Sequence, residues 1–143
     1  MKISTKGRYA IRVMLDLAEH DNGEFLPLME IAVRQEISEK YLEAIVAVLS
    51  KNGFVQSLRG KGGGYRLARR PEMITIGSIL KVMEGSLAPV ACLEAQAEPC
   101  PRVAQCRTVQ MWQNFSKMVD NYFEGITLAD LMGQETEVNN YII

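Results

Sequence analysis

Apolar residues in the first 36 positions repeat at helical spacing. A first helix can be capped by Ser4 or Thr5 and runs to about His20. A second, shorter helix follows Pro27 and ends before Glu36. The pattern therefore predicts two consecutive helices joined by a short connection.

A third helix opens at Ser38 and has two distinct faces. Its apolar residues fall at i, i+3, i+4 and i+7 and predict one buried stripe, made of Leu42, Ile45, Val46 and Leu49. The opposite face carries few bulky side chains, and its first turn offers Ser38, Lys40, Tyr41 and Glu43. Such a face fits a DNA major groove, which is about 12 Å wide. The alternative is an ordinary amphipathic helix on the surface of a bundle.

Two short strand-like runs, 54–58 and 65–68, surround a basic glycine-rich tip. Helices followed by such a hairpin predict a winged helix-turn-helix, and a further helix from Thr75 to Gly85 completes a domain at 1–85. The fold class is thus mainly α with a small β-hairpin.

The glycine tip does not match the usual nucleotide-binding loops. Gly62, rather than Ser or Thr, follows Lys61, and Tyr65 stands where the dinucleotide fingerprint has its third glycine. Arg59, Lys61 and Arg66 could instead meet phosphates or a narrow minor groove, with glycines allowing close approach. A tight turn with solvated charges is the other interpretation.

The second half of the chain has a different organisation. Residues 86–101 read as an irregular loop, and 102–132 as a long helix to about Glu124 followed by a brief helix capped at Thr127. Residues 133–143 read as a flexible tail. The long helix has more apolar residues than one contact requires, which predicts packing on its own domain and on a second subunit: Val109, Met111, Trp112, Phe115, Met118, Val119, Tyr122 and Phe123. Packing entirely within one chain is the alternative.

Charge is distributed unevenly along the 143 residues. The net charge is −1, but residues 1–71 hold 12 Lys and Arg against 8 Asp and Glu, while 72–143 hold 4 against 9. The basic half is therefore the candidate surface for a polyanion. The chain has no apolar run near the roughly 20 residues of a membrane span and no apolar leader, so we expect a cytoplasmic protein.

Three cysteines, Cys92, Cys100 and Cys106, form a C-x7-C-x5-C pattern. An odd number argues against a closed disulfide framework, and three nearby thiolates can hold an iron–sulfur cluster of the 4Fe-4S or 2Fe-2S type. Zinc fits less well because there is no C-x-x-C pair. Free thiols remain an alternative. With one histidine and no nucleophile–base pair, the chain is not expected to be an enzyme.

Several ordered motifs resemble the Rrf2 family of bacterial winged-helix regulators, including its IscR, NsrR, RirA and CymR branches. They are KGRYA at 6–10, ISEKYLE at 37–43, KNG at 51–53, RGKGGGY at 59–65 and ITL at 126–128. The resemblance implies a homodimeric transcription regulator that binds palindromic sites in double-stranded DNA.

The resemblance also implies roles for individual residues. Ser38, Tyr41 and Glu43 are similar to recognition-helix residues, and Arg59 to the wing arginine that enters the minor groove. Lys40 and Ala44 differ from the smaller polar and amide residues of IscR-like members. The full predicted DNA surface is Lys6, Arg8, Ser38, Lys40, Tyr41, Glu43, Arg59, Lys61, Gly62 and Tyr65.

For the cysteines, the three-cysteine IscR-like branch implies an iron–sulfur cluster that reports iron, oxygen or nitric oxide. The CymR-like branch lacks these cysteines and depends on a protein partner. A histidine that some members have after the third cysteine is absent, and Arg8 stands where others have an acidic ligand. An external thiol, water, Glu94 or Glu98 are the candidates for the fourth ligand.

Overall fold

The structure is a computed structural model that describes residues 1–133, so the predicted tail lies, except for Gly133, outside the described residues. The described part is mainly helical, with one two-stranded antiparallel hairpin, as predicted. The helices are α1 (Thr5–Glu19), α2 (Leu28–Gln35), α3 (Glu39–Lys51), α4 (Ile76–Glu84), α5 (Val109–Glu124) and α6 (Leu128–Leu131). The strands are β1 (Val55–Leu58) and β2 (Gly64–Leu67), paired from Val55 with Leu67 to Leu58 with Gly64.

Hydroxyl side chains fix where four helices begin. Ser4, Ser38, Thr75 and Thr127 each accept a hydrogen bond from a backbone N–H in the first turn of α1, α3, α4 and α6. Glu36 ends α2 in the left-handed conformation, with φ 54° and ψ 44°. This cap turns the chain sharply from α2 into α3 and so forms the helix-turn-helix.

The core lies between α1, α3 and α4. Its largest fully buried side chains are Met14, Leu17, Ile31, Leu42, Ile45, Leu49, Ile74, Ile79, Leu80 and Leu128. The buried stripe predicted for α3 is present. Leu128 comes from the short α6, and its N–H donates to the carbonyl of Ile74 at 2.9 Å. The short α6 is therefore tied to the segment that precedes α4.

The long helix begins later than the sequence pattern predicts. Residues 103–105 form a 3₁₀ turn, and Cys106 then takes an extended backbone conformation with φ −79° and ψ 110°. Because an extended residue interrupts helical hydrogen bonding, α5 starts only at Val109. Cys106 therefore belongs to the loop, directly before the helix.

Candidate DNA-binding surface and cysteine loop

The face of α3 opposite the core is open to solvent. Lys40, Glu43, Ala44 and Ala47 are exposed, as the helical pattern predicts. Ser38 is also exposed, and its hydroxyl accepts from the Tyr41 N–H at 3.2 Å. The residue proposed for base contact thus also fixes the start of the helix.

Tyr41 is braced by side chains of α1. Its ring lies 5.6 Å from the Tyr9 ring in an edge-to-face arrangement, and the Arg12 guanidinium lies 5.0 Å from the Tyr9 ring centre. Arg12 also donates to the side chain and carbonyl of Gln35 at the end of α2. These contacts connect all three helices at the entrance to α3, a role for Tyr9 and Arg12 that spacing alone does not reveal.

A buried carboxylate of α1 connects this helix to the end of α2. Asp16 is 2% exposed and accepts from Arg34 Nη2 at 2.8 Å and from Gln35 Nε2 at 2.8 Å. The hydrogen bond to Asp16 raises the pKa of Arg34. Because the Asp16 carboxylate is buried and loses its cationic partner if Arg34 is removed, this pair holds α2 against α1.

The wing is fixed at its base and projects its tip. The Leu26 N–H donates to the Tyr65 carbonyl and the Tyr65 N–H to the Leu26 carbonyl, each at 2.8 Å. A side chain at Gly64 would come within 2.1 Å of the Leu26 carbonyl oxygen, so only glycine permits this approach. Arg59, Lys61 and Gly62 lie exposed beyond this anchor.

The basic residues of the hairpin divide into free and engaged ones. Arg66 stacks 4.2 Å from the Phe25 ring centre and donates to Gln56 Oε1 and to the Gly23 carbonyl. In the described part of the chain, Arg59 and Lys61 make no ion pair. The tip cations are therefore available for phosphates, while Arg66 stiffens the wing.

The predicted DNA residues do not all meet in one place. Glu43, Arg59 and Tyr65 line a single cleft of about 730 Å³ between α3 and the wing. Lys61 and Gly62 line a second cleft of about 710 Å³ on the wing's other side. Lys6, Arg8, Ser38, Lys40 and Tyr41 line neither cleft, although the Tyr9–Tyr41 contact places the start of α1 beside α3.

The three cysteines line one small cavity. Cys92 and Cys106 are exposed, Cys100 is half-buried, and none is in a disulfide. The cavity measures about 200 Å³, and its other lining residues are Leu93, Pro99, Val103, Val109 and Gln113. Within residues 1–133, no three His, Cys, Asp or Glu side chains are grouped closely enough to hold a metal ion. The thiols thus share a cavity without forming a finished site.

Cys106 is chemically distinct because of its place before α5. Its Sγ lies 3.4 Å from Thr108 Oγ1, and this hydrogen bond, followed by backbone N–H contacts at Thr108, lowers the pKa of the Cys106 thiol. A lower pKa increases the fraction of thiolate, which is the form that binds metals. Neither Glu94 nor Glu98 lines the cavity.

Helix α5 has a packed face and an exposed apolar face. Val119 and Phe123 pack against the core, and Lys81 of α4 forms ion pairs with Asp120 and Glu124. The exposed face follows helical spacing and contains Met111, Phe115, Met118 and Tyr122. The described part of the chain leaves this apolar stripe uncovered. Across the same described residues, no helix is long and apolar enough to cross a membrane.

Comparison with known proteins identifies relatives over nearly the whole chain. The family model Rrf2, described as an iron-dependent transcriptional regulator, matches residues 3–134. Protein rrf2 of Nitratidesulfovibrio vulgaris is 41% identical over 132 residues, covering 92% of this chain and 87% of that protein. IscR of Aliivibrio salmonicida is 39% identical, covering 92% and 77%.

Two solved structures show the same architecture. CymR of B. subtilis, described as the global cysteine regulator, is 39% identical and aligns with a TM-score of 0.74 over 92% of this chain and 95% of that one. IscR of T. potens is also 39% identical, with a TM-score of 0.69 over 92% and 85%. These likenesses confirm the winged-helix fold. The relatives are named as regulators, in agreement with the prediction that the chain is not an enzyme.

Proposed function

The chain belongs to the Rrf2 family of transcriptional regulators, and on that premise we propose that it acts as a homodimer on a palindromic DNA operator. The observation that carries this proposal is the cleft where Glu43 of α3 faces Arg59 and Tyr65 of the wing. A helix face can enter the major groove while a neighbouring arginine reaches a minor groove. Two copies would read two half-sites related by the dimer axis.

The exposed face of α5 supports the dimer. Met118 and Tyr122 are 68% and 65% exposed, and Met111 and Phe115 continue the same stripe. An uncovered apolar stripe of aromatic and methionine side chains is typical of an interface. In the proposed assembly the α5 helices of two protomers pack along this stripe. Within each protomer, the ion pairs of Lys81 with Asp120 and Glu124 hold α5 against α4.

We further propose that Cys92, Cys100 and Cys106 hold an iron–sulfur cluster. The donor set fits this group because all three thiols are free, line one otherwise largely apolar cavity, and include an acidified thiol at Cys106. The cluster would provide redox-active iron at a solvent-accessible position. Exposure of Cys92 and Cys106 suits a sensor of iron, oxygen or nitric oxide.

A second candidate is a regulator controlled by a protein partner instead of a cluster. The likeness to CymR of B. subtilis supports it, since that structure aligns with a TM-score of 0.74 against 0.69 for IscR of T. potens, at the same 39% identity. In this alternative the three cysteines contribute no cofactor, and DNA affinity depends on binding of the partner.

Anaerobic purification followed by iron and sulfide analysis distinguishes the two candidates. The cluster proposal predicts iron, acid-labile sulfide and visible absorption in the wild-type protein, all lost in the Cys92→Ala, Cys100→Ala and Cys106→Ala triple variant. Protein that binds its operator tightly but takes up no iron under reconstitution would support the partner-controlled candidate.

A further inference from the structure

We infer that Gln113 supplies the fourth protein ligand of the iron–sulfur cluster through the oxygen of its side-chain amide. The inference rests on the proposed cluster and concerns the coordination position that three cysteines leave open. Gln113 lies in α5, one turn after Val109, and both residues line the cysteine cavity. Residues four apart share one face of a helix, so this face of α5 meets the loop that carries the cysteines.

The composition of the cysteine cavity singles out this residue. Apart from the three thiols, the cavity is lined by Leu93, Pro99, Val103, Val109 and Gln113. Four of these five side chains are apolar and cannot coordinate iron. Among the described residues that line the cavity, Gln113 therefore contributes the one side chain other than cysteine with a donor atom for a metal.

The ligands suggested by sequence alone lie elsewhere. Glu94 and Glu98 belong to the same loop as the cysteines but do not line the cavity. Thr108 is engaged with the Cys106 sulfur, and Val109 has no donor atom. Proximity along the chain therefore favours two carboxylates that are not part of the cavity, whereas Gln113 lines it from α5.

The amide of Gln113 is also free to act as a ligand. Within the described chain it makes no side-chain hydrogen bond, whereas Gln110 on the same helix donates to Asn114 at 3.0 Å. A neutral amide oxygen binds iron more weakly than a thiolate because it carries no full charge. We expect one iron of the cluster to exchange its ligand easily, which suits a site that reacts with small molecules.

Mössbauer spectroscopy of protein reconstituted with ⁵⁷Fe tests the assignment. In wild type we expect one iron signal with a larger isomer shift than iron coordinated only by sulfur. Gln113→Cys should convert that signal to the all-sulfur type, and Gln113→Ala should alter it and speed ligand exchange with added imidazole. Gln110→Ala, a matched change outside the cavity, should leave the spectrum unchanged.

The outcomes separate this assignment from the proposed function. Wild type with a cluster, but a spectrum identical in Gln113→Ala and Gln113→Cys, would overturn the role of Gln113 and leave the cluster in place. Wild type that forms no cluster would overturn both. A Gln113→Ala protein that cannot retain iron, beside a Gln113→Cys protein that can, would support the assignment.

Discussion

At the scale of single residues, the Thr108 hydroxyl lies against the Cys106 thiol, with Oγ1 3.4 Å from Sγ. This hydroxyl favours the thiolate, so the folded pKa of Cys106 is lowered and the thiolate persists to lower pH than in an ordinary thiol. Thr108→Val removes the hydroxyl and should raise that pKa. In metal-free protein, the curve of Cys106 alkylation rate against pH should therefore move to higher pH.

Mass spectrometry after timed labelling with iodoacetamide would measure this shift. Cys92 in the same samples is the internal control, since it lies outside the contact between Cys106 and Thr108, and its labelling should be the same in both proteins. A Cys106 profile that does not move in Thr108→Val would show that the hydrogen bond has no influence on the thiol.

Arg59 is the residue on which minor-groove recognition depends in the proposed complex. It is exposed at the wing tip and lines the cleft with Glu43 and Tyr65. The operator would first be selected from randomised DNA. Arg59→Ala should weaken binding to it by about 1–3 kcal/mol and reduce the sequence preference at the base pairs that flank the major-groove contacts. Fluorescence titration against matched operator variants would measure both effects.

Arg59→Lys is the matched control because it keeps the charge but loses the planar guanidinium. It should retain the salt dependence of binding while losing part of the sequence preference. Equal operator affinity in wild type and Arg59→Ala would exclude the proposed role of the wing.

At the scale of elements, the exposed stripe of α5 defines the dimer prediction. Met118 is 68% exposed at the middle of the stripe, so Met118→Glu would place two carboxylates in the proposed interface. We expect dimerisation to weaken by about 2–4 kcal/mol, because a buried unpaired charge is costly. Light scattering coupled to size-exclusion chromatography should show monomers at micromolar concentration.

Gln110→Glu serves as the control on the same helix. Because Gln110 lies outside the apolar stripe, this substitution should leave the dimer intact. If Met118→Glu remained as dimeric as wild type, the interface would have to lie on another surface. The thermal unfolding of both variants should be compared at equal concentration, because dimerisation itself contributes to stability.

Local sequence signals predicted the starts of helices well where a single short-range hydrogen bond fixes the start. Ser38 and Thr75 cap their helices, and Thr127 and Asp130 form the expected capping box. The start of α5 was predicted wrongly because the extended backbone at Cys106 depends on the surrounding loop. The engagement of Arg66 with Phe25 was equally invisible, since the two residues meet only in the folded chain.

At the scale of the whole molecule, α4 lies between the cysteine loop and the start of α1, which belongs to the proposed DNA surface. The loop leaves α4 at Gly85, and the preceding Glu84 accepts hydrogen bonds from the Ser4 N–H and hydroxyl at 3.0 and 2.6 Å. Three residues earlier in the same helix, Lys81 forms ion pairs with Asp120 and Glu124 of α5. We expect a rearrangement of the loop to shift α1 and α5 together and thereby change the spacing of two wings in a dimer.

The candidate site was also predictable only in part, because some of its contacts join residues that are distant in the sequence. The C-x7-C-x5-C pattern identified the three thiols, and the helical spacing of apolar residues in α3 identified its exposed face. The sequence could not show that Gln113 shares the thiols' cavity, or that Tyr9 braces Tyr41. Both are tertiary contacts between separate segments, and residue spacing does not encode them.

The most direct test of the account is the operator affinity of the iron-loaded protein against that of the Cys92→Ala, Cys100→Ala and Cys106→Ala triple variant, measured anaerobically at one salt concentration. Coupling between cluster and wing predicts affinities that differ by about tenfold or more, with both proteins dimeric and folded. Equal affinities for the selected operator would contradict regulation through the cysteine loop.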